Sequence, residues 1–264
     1  MNLDSLLITF GKDAAALYKE DVAIESAKNI PEPAEIPLQG NTWIRLEDVT
    51  CVYADMMRST QLSVRREPQT VAKLYQLFTG NAVRILNEFD AEYIDVRGDG
   101  AFGLFSGRKG FYKALAAAVT VKTFTARHGA RIVKESGLAF PLTCHLGIQS
   151  GRLLVKKLGL RGDMQNEVWA GRPVNVAAKL ASRGGAGQLV VSKNVYDRFE
   201  SDLIYLSCGC GKSADGRRIT GKKSPLWKEV EVDPSVFGSG TAHVLDSDWC
   251  VIHGEETCNG ILAL

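Results

Sequence analysis

The chain has 264 residues, of which 45% are hydrophobic and 23% are charged, and its net charge at pH 7 is +2. This composition is typical of a globular protein and leaves ample apolar material for a sizeable core. The charge balance lacks the basic excess of nucleic-acid-binding proteins. No apolar stretch is long enough to cross a bilayer, and the N-terminal residues lack the basic start of a secretory signal. We therefore expect a cytoplasmic protein without nucleic-acid or membrane partners.

The first part of the chain is predicted to precede the main domain. Residues 3–28 have the apolar spacing of an amphipathic helix. Three prolines follow within residues 31–37, and because proline cannot continue a helix, this segment is predicted to be an extended linker. We place the boundaries at 1–40 for the helix and linker, 41–232 for the main domain and 233–264 for a C-terminal tail. The tail is expected to pack on the main domain or on a dimer partner.

Strand and helix patterns then alternate through the main domain. Short runs of β-branched and aromatic residues indicate strands, and longer segments with helical apolar spacing indicate helices. The predicted strands cover residues 49–55, 92–96, 101–105, 142–149, 153–158, 188–192 and 225–232, and the predicted helices cover residues 68–88, 109–134, 173–182 and 194–199. A sheet covered by helices follows from this order, so the predicted fold class is α+β.

Two aspartates lie where a metal site is expected. Asp55 ends a predicted strand, and Asp99 lies in an Arg-Gly-Asp-Gly turn between two predicted strands. A strand end and a neighbouring hairpin turn can approach closely, and two carboxylates would then repel each other unless cations lay between them. Such oxygen ligands suit Mg²⁺ or Mn²⁺ held together with substrate phosphates. Taken alone, however, a Gly-Asp-Gly sequence is more often only a turn.

Six blocks of the sequence together resemble the class III adenylate and guanylate cyclase family. Residues 53–60 (YADMMRST) resemble its first metal motif, and residues 96–102 (VRGDGAF) resemble its second. Residues 145–151 resemble the family's strand and glycine turn, with the turn at Ser150 and Gly151, and residues 170–180 resemble its transition-state segment. Residues 187–192 and 219–225 continue the resemblance in register. Each block alone is weakly specific, but the set follows the family order across residues 43–232.

The resemblance implies a ferredoxin-like sheet covered by helices and a head-to-tail homodimer with shared active sites. Asp55, Asp99 and the Met56 backbone carbonyl of one protomer are then expected to bind two divalent cations, Mn²⁺ or Mg²⁺. The partner protomer is expected to supply Asn175, which orients the ribose, and Lys179, which stabilises charge on the α-phosphate. The expected reaction forms a 3′,5′-cyclic monophosphate and pyrophosphate from a nucleoside triphosphate.

Outside the base pocket, the chain departs from the family at two positions. Lys179 replaces the usual arginine, and because lysine lacks the planar guanidinium fork, either the rate is lower or Arg172 or Arg183 assists. Arg58 replaces a glycine after the first aspartate, and it either contacts a phosphate or faces solvent. Two lysines near the end of the resemblance are candidates for binding the γ-phosphate, Lys222 and Lys223.

Residues 95 and 97 are expected to line the base pocket, because strand alternation places them on the side of Asp99. Adenylate cyclases have lysine at the position of Asp95 and aspartate at that of Val168, so both adenine readers are absent. Guanylate cyclases have glutamate at the first position. Arg97 would fill much of a purine pocket and donate to a uracil oxygen, while Asp95 accepts from N3–H or fixes the guanidinium. Tyr53 should line the same pocket.

This pocket resembles that of the pyrimidine cyclases of bacterial Pycsar antiphage systems, which make cyclic UMP or cyclic CMP as a signal for a separate effector. The resemblance implies UTP as the favoured substrate and CTP as the next. One alternative is that Asp95 and Arg97 form a structural ion pair and that the pocket accepts a purine, as in a guanylate or adenylate cyclase. Another is a catalytically inactive nucleotide-binding domain, against which both metal carboxylates and Asn175 argue.

The C-terminal region holds a second candidate metal site. Cys208, Cys210, Cys250, His253 and Cys258 contain enough donors for a structural Zn²⁺. Their spacing fits no common zinc finger, so a set of reduced thiols is the alternative. Four further residues of metal-binding type are expected to be structural: Cys51, Cys144, His128 and His145.

Overall fold

The computed structural model of the chain describes residues 2–38, 40–159, 165–212 and 218–264. In these residues the strands are β1 (Ala23–Ala27), β2 (Thr42–Met56), β3 (Tyr93–Arg97), β4 (Gly100–Ser106), β5 (Cys144–Gly159), β6 (Gln165–Gly171), β7 (Leu189–Ser192), β8 (Cys210–Lys212), β9 (Arg218–Thr220), β10 (Trp227–Glu231) and β11 (Thr241–Leu245). The helices are α1 (Leu3–Lys19), α2 (Ser59–Arg65), α3 (Pro68–Glu88), α4 (Gly107–Phe124), α5 (Ala130–Glu135), α6 (Arg172–Arg183), α7 (Lys193–Tyr196), α8 (Asp202–Tyr205), α9 (Pro234–Phe237) and α10 (Gly254–Leu262). A π-helical turn, Thr125–Gly129, joins α4 to α5.

The centre of the sheet is built from β2, α3, β3, β4, α4 and β5 in chain order. The four strands lie in the order β5-β2-β4-β3, and every neighbouring pair is antiparallel. This is the split βαβ arrangement of ferredoxin-like folds, so the predicted sheet and the α+β class are confirmed. Alternate residues of β2, including Val52 and Ala54, face α3 and α4 and form one core with Phe78 and Leu115.

Strands β7, β11 and β10 extend the sheet beyond β5. The prediction that residues 225–232 form the closing strand, with an appended tail after them, was wrong in topology. Strand β11, which belongs to the predicted tail, pairs with β7 on one side and β10 on the other. Its central His243 is buried and stacks on Tyr196 at 3.5 Å, which gives this polar residue an apolar contact surface. The tail does pack on the domain as predicted, because Ile261 of α10 lies in the main core.

The N-terminal segment also differs from its prediction. The helix ends at Lys19 instead of continuing to residue 28, and β1 follows it as a parallel partner of β2. Beyond β1, Ile30 and Ile36 are buried against the sheet. Residues 23–36 therefore contribute a strand and two core side chains to the domain, although the sequence assigned them to a separate helix and linker. Helix α1 itself has no buried residue.

Two strands near the site were also predicted incorrectly. The expected turn at Ser150 and Gly151 does not break the sheet, because β5 runs continuously through it and stays paired with β2. The irregularity is taken up in β2, where the register shifts between Leu46 and Val49. Strand β6 was not predicted, and it pairs with the second half of β5. Among the helices in the described ranges, none has the length and apolar character needed to cross a bilayer.

Candidate active site

Strand register brings the predicted base and metal residues to one face of the sheet. Residues two apart on one strand point to the same face, and so do direct partners on neighbouring strands. Phe102 of β4 is the direct partner of both Tyr53 and Asp95, and Gly100 is the direct partner of both Asp55 and Arg97. Four predicted residues therefore lie in two adjacent rows on one face: Tyr53, Asp55, Asp95 and Arg97.

The turn that carries Asp99 is pressed against Asp55. A methyl group on Gly100 would lie 2.6 Å from Asp55 Oδ1 and 2.8 Å from the Ala54 carbonyl oxygen, so only glycine allows this approach. On the other side, the Thr79 hydroxyl of α3 donates to the Asp99 carbonyl oxygen at 3.1 Å. The structure thus holds the residue next to Asp99 in contact with the Asp55 carboxylate. Both aspartates keep part of their surface exposed.

The pKa of the Tyr53 hydroxyl is shifted by burial and by the charged groups on this face. Burial raises the pKa of Tyr53, and the Asp55 and Asp99 carboxylates raise it further. A smaller contribution from Cys51 has the same sign, and the Arg97 guanidinium opposes the rise in this pKa. The phenol is therefore protonated at neutral pH and available as a hydrogen-bond donor to a ligand on this face of the sheet.

Arg97 and Asp95 form an ion pair beside Tyr53. Arg97 Nη2 lies 2.5 Å from Asp95 Oδ2, and the Arg97 side chain is 55% exposed whereas that of Asp95 is 21% exposed. The ion pair that the sequence offered as an alternative therefore forms, and its guanidinium is more exposed than its carboxylate. Because a guanidinium has five N–H donors, one contact to Asp95 leaves others directed toward solvent or a ligand.

His145 contacts Asp55, the first of the predicted metal ligands, although the sequence analysis expected His145 to be structural. It is the direct partner of Asp55 on β5, and its Nε2 lies 3.0 Å from Asp55 Oδ2. A ring nitrogen at this distance donates to the carboxylate and fixes its orientation, as histidine–carboxylate pairs do around metals. Only the register between β2 and β5 reveals this contact, and the sequence does not specify that register.

Asn175 and Lys179 lie on helix α6. They are exposed and separated by one turn of α6, whose opposite side buries Val176 and Leu180. Within the described ranges neither side chain makes a hydrogen bond or an ion pair. Helix α6 packs closely against β5 at Gly147. The approach leaves no room for a side chain, because a methyl group at Gly147 would lie 2.0 Å from the Ala177 carbonyl oxygen. The two polar side chains are therefore presented outward on a rigid surface, as a contribution to a partner's site would require.

Other predicted positions are also located. Met56 directly follows Asp55 in the chain and is buried at the end of β2. Arg58 is exposed and has φ 65°, in the left-handed region that favours glycine, which explains physically why the family has glycine there. Lys222 and Lys223 are exposed between β9 and β10.

Four of the five predicted zinc ligands converge. The ligand atoms of Cys208, Cys210, Cys250 and His253 all lie within 4.8 Å of one another. Cys258 does not belong to this group, because it lies further along α10. The prediction that Cys51 and Cys144 are core residues is confirmed, since both are almost fully buried.

Comparison with known proteins identifies the family. Residues 43–218 match the family of adenylate and guanylate cyclase catalytic domains. The chain belongs to this family. It is 35% identical over 272 residues to a uridylate cyclase of Propioniciclava tarda, a match that covers 99% of this chain and 84% of the relative. A uridylate cyclase of Micromonospora echinofusca is 34% identical over 268 residues, with 99% and 85% covered.

Solved structures confirm the cyclase fold. The adenylyl cyclase CyaB from P. aeruginosa superimposes with a TM-score of 0.62 at 17% identity, over 79% of this chain and 97% of that protein. The guanylyl cyclase Cya2 gives a TM-score of 0.59 at 20% identity, over 76% and 91% of the two chains. The protein is thus a class III nucleotidyl cyclase, a family that uses divalent cations.

The residues of this cyclase fit such cations. Asp55 and Asp99 offer hard oxygen donors on adjoining segments, and the close approach at Gly100 brings the two segments together. The His145 contact leaves Asp55 Oδ1 as a further donor atom of the same carboxylate. Oxygen donors of this kind, partly open to solvent, are the donor set that Mg²⁺ and Mn²⁺ share with triphosphates.

Proposed function

We propose that this cyclase converts UTP, and CTP less efficiently, into the 3′,5′-cyclic monophosphate and pyrophosphate. The observation that carries this proposal is the partly exposed Arg97–Asp95 pair, in which Arg97 shares a cross-strand row with Asp55 and Asp95 shares the adjacent row with Tyr53. The two bacterial relatives are uridylate cyclases, which independently supports UTP as the substrate.

The pair has the donor and acceptor pattern that uracil requires. Uracil presents O2 and O4 as acceptors and N3–H as a donor, whereas the guanidinium of Arg97 supplies only donors. Asp95 holds this guanidinium and is itself an acceptor, and the protonated Tyr53 hydroxyl is a further donor. A long arginine at this place also occupies volume that a purine would need. Val168, on β6, carries no polar group that could read adenine.

The remaining site residues position the ribose and the triphosphate. Asp55, Asp99 and the Met56 carbonyl would hold two divalent cations, which when bound promote loss of the 3′-hydroxyl proton and neutralise triphosphate charge. The 3′ oxygen then attacks the α-phosphorus, the bond to the β-phosphate oxygen breaks, and pyrophosphate leaves. Asn175 orients the ribose, and Lys179 stabilises negative charge on the α-phosphate.

We propose that two protomers pair head to tail and complete each other's sites. The support is the exposure of the side chains within one chain: Asp55 and Asp99 are partly buried at the end of the sheet, whereas Asn175 and Lys179 are exposed on α6 and make no hydrogen bond or ion pair among the described residues. Closed two-fold symmetry is the usual arrangement of homodimers and would create two equivalent sites. We further propose that the cyclic nucleotide acts on a separate effector in antiphage defence, which the resemblance to Pycsar cyclases supports.

Incubation of the pure protein with each of UTP, CTP, GTP and ATP, with Mn²⁺ present, tests the substrate. Cyclic UMP should be the main product, with less cyclic CMP. A main product of cyclic GMP or cyclic AMP would contradict the pyrimidine assignment, and the absence of product with all four would favour an inactive domain.

The base assignment predicts a specific change for Arg97→Ala. Loss of a charged hydrogen bond, worth about 1.5–3 kcal/mol, should lower the preference for UTP over GTP by about 10- to 100-fold. Arg131→Ala is the matched control, because Arg131 is also exposed and lies 3.8 Å from an acidic partner, Glu135, on a distant helix. Competition assays with mixed UTP and GTP measure the preference for UTP. An unchanged preference in Arg97→Ala would contradict the assignment of Arg97 to the base pocket.

His145 should act as a positioning residue for Asp55. His145→Ala should lower turnover by about 10- to 100-fold and raise the Mn²⁺ concentration needed for half-maximal rate, the size usual for partners of metal ligands. His145→Gln keeps a donor near the place of Nε2 and should retain more activity. His128→Gln, at an exposed position, is the control. A loss of rate without any shift in the Mn²⁺ dependence would argue against this role.

A further inference from the structure

Two separate segments of the chain bring three thiols and one imidazole to a single point. Cys208 and Cys210 lie at the start of the β8–β9 hairpin, and Cys250 and His253 lie in the turn before α10. The four ligand atoms are within 4.8 Å of one another, and Cys210 Sγ is 3.1 Å from His253 Nδ1. We propose that these four residues form a structural zinc site, separate from the catalytic cations.

The chemistry of the four donors favours zinc. Three sulfurs and one imidazole nitrogen form a soft donor set that prefers zinc over Mg²⁺ or Mn²⁺. Four protein ligands complete a tetrahedral shell and leave no open position for water or substrate, which is typical of structural and not of catalytic zinc. The Cys250 sulfur also accepts a hydrogen bond from the Ile252 backbone amide at 3.4 Å, a contact that favours the thiolate form needed for binding.

Both halves of the site are already held in place by the fold. Trp249, next to Cys250, is tied to α4: its ring nitrogen donates to the Thr120 hydroxyl at 2.9 Å and its backbone amide to the Thr123 hydroxyl at 3.0 Å. On the other side, the Gly221 amide donates to the Gly209 carbonyl, between the two cysteines, at 2.6 Å. Anchors of this kind reduce, without removing, the chain entropy that is lost when the metal binds.

The zinc site lies at the same end of the sheet as the catalytic aspartates. Asp55 pairs with His145 on β5. The next residue of β5, Leu146, pairs with Leu189 on β7. Leu189 pairs with Leu245 on β11, which in turn pairs with Trp227 on β10. Roughly 14–20 Å of sheet, three to four strand spacings, separates Leu245 and Trp227 from Asp55. The zinc ligands also line an apolar cavity of about 560 Å³ with Lys223 at its edge.

A metal ion at this place would cross-link two segments that are far apart in the sequence. It would join the hairpin that precedes Lys222 and Lys223 to α10, which packs on α4. Cross-links between segments far apart in sequence restrict the unfolded chain most, so metal removal should loosen both the hairpin and the last helix. Zinc binding at this site is independent of the nucleotide base and of catalysis.

Metal analysis of the full-length protein, purified under reducing conditions, tests the site. We expect about one tightly bound zinc ion per chain. Exchange for Co²⁺ should produce the intense visible absorption of tetrahedral cobalt–thiolate centres. A Cys208→Ser and Cys250→Ser double variant should lose the zinc, whereas Cys258→Ser, on the same helix α10 but outside the cluster, should keep it. Asp99→Asn should also keep it, which separates this metal from the catalytic ions.

Three results would overturn the proposal. They are wild-type protein without zinc after exposure to it, equal zinc loss in Cys258→Ser, and a disulfide among the cluster cysteines in the reduced preparation. If the double variant does not fold, the cobalt spectrum of the wild-type protein remains decisive, because sulfur ligation alone produces it. Hydrogen exchange with and without a zinc chelator should show faster exchange in the hairpin and α10, and unchanged exchange there would refute the structural role.

Discussion

Asp99→Asn and Asp55→Asn should each reduce UTP turnover by at least about a thousandfold. Each replacement removes one negative charge from the cation-binding pair while keeping the shape of the side chain. Metal ions supply several kcal/mol of charge stabilisation in such reactions, and each 1.4 kcal/mol is a factor of ten in rate. Pyrophosphate release measured under saturating Mn²⁺ gives the size of the loss.

The same variants should remain folded. Two neighbouring carboxylates repel each other without cations, so removing one should leave the thermal midpoint unchanged or slightly higher. Asp13→Asn, on the exposed helix α1, changes the same chemical group away from the cleft and should have wild-type activity. Substantial turnover by a folded Asp99→Asn protein would show that this carboxylate does not hold a catalytic cation.

Asn175→Ala and Lys179→Ala should each cost about 100- to 1,000-fold in turnover, the range measured when one preorganised transition-state donor is removed. This expectation is not obvious from one protomer, where both residues are exposed on α6 and have no partner among the described residues. Lys179→Arg should keep or raise activity, because a guanidinium offers a bidentate fork to phosphate oxygens.

Matched controls separate a catalytic effect from a change in the helix surface. Asn259→Ala makes the same replacement at an exposed position of α10 and should leave turnover unchanged. Circular dichroism and thermal melts should be the same for the Asn175, Lys179 and Asn259 variants, since none of these side chains is buried. Wild-type rates in Asn175→Ala would remove this residue from the proposed site.

The sequence predicted the centre of the fold well because its elements have strong local patterns. Helix α3 begins at Pro68 and ends at Glu88 as predicted, since proline is favoured in the first helical turn and the apolar spacing is regular. Strand β1 was missed because four of its five residues are exposed, so no apolar alternation marks it. It forms by backbone pairing with β2, which depends on tertiary structure. Strand β11 was missed because a buried histidine interrupts its apolar run.

The site shows a similar division. The predicted metal and base residues come from short motifs, and in the structure Asp95 and Arg97 are two residues apart on β3 and share one face of the sheet. The contact between His145 and Asp55 depends on the register of two strands whose partners are 90 residues apart. The convergence of Cys208 and Cys210 with Cys250 and His253 likewise depends on how the C-terminal segment packs. Sequence spacing alone therefore could not show that Cys258 lies outside this group.

Engineered heterodimers give the most direct test that one protomer's aspartates act with its partner's asparagine. Two differently tagged chains are co-expressed, and the heterodimer is isolated through both tags. When Asp99→Asn and Asn175→Ala are on different chains, one complete site remains, and about half of the wild-type activity should be recovered. When both replacements are on one chain and the other is wild type, no complete site remains, and activity should be near zero. The reverse result, with activity only when both replacements are on the same chain, would contradict shared sites.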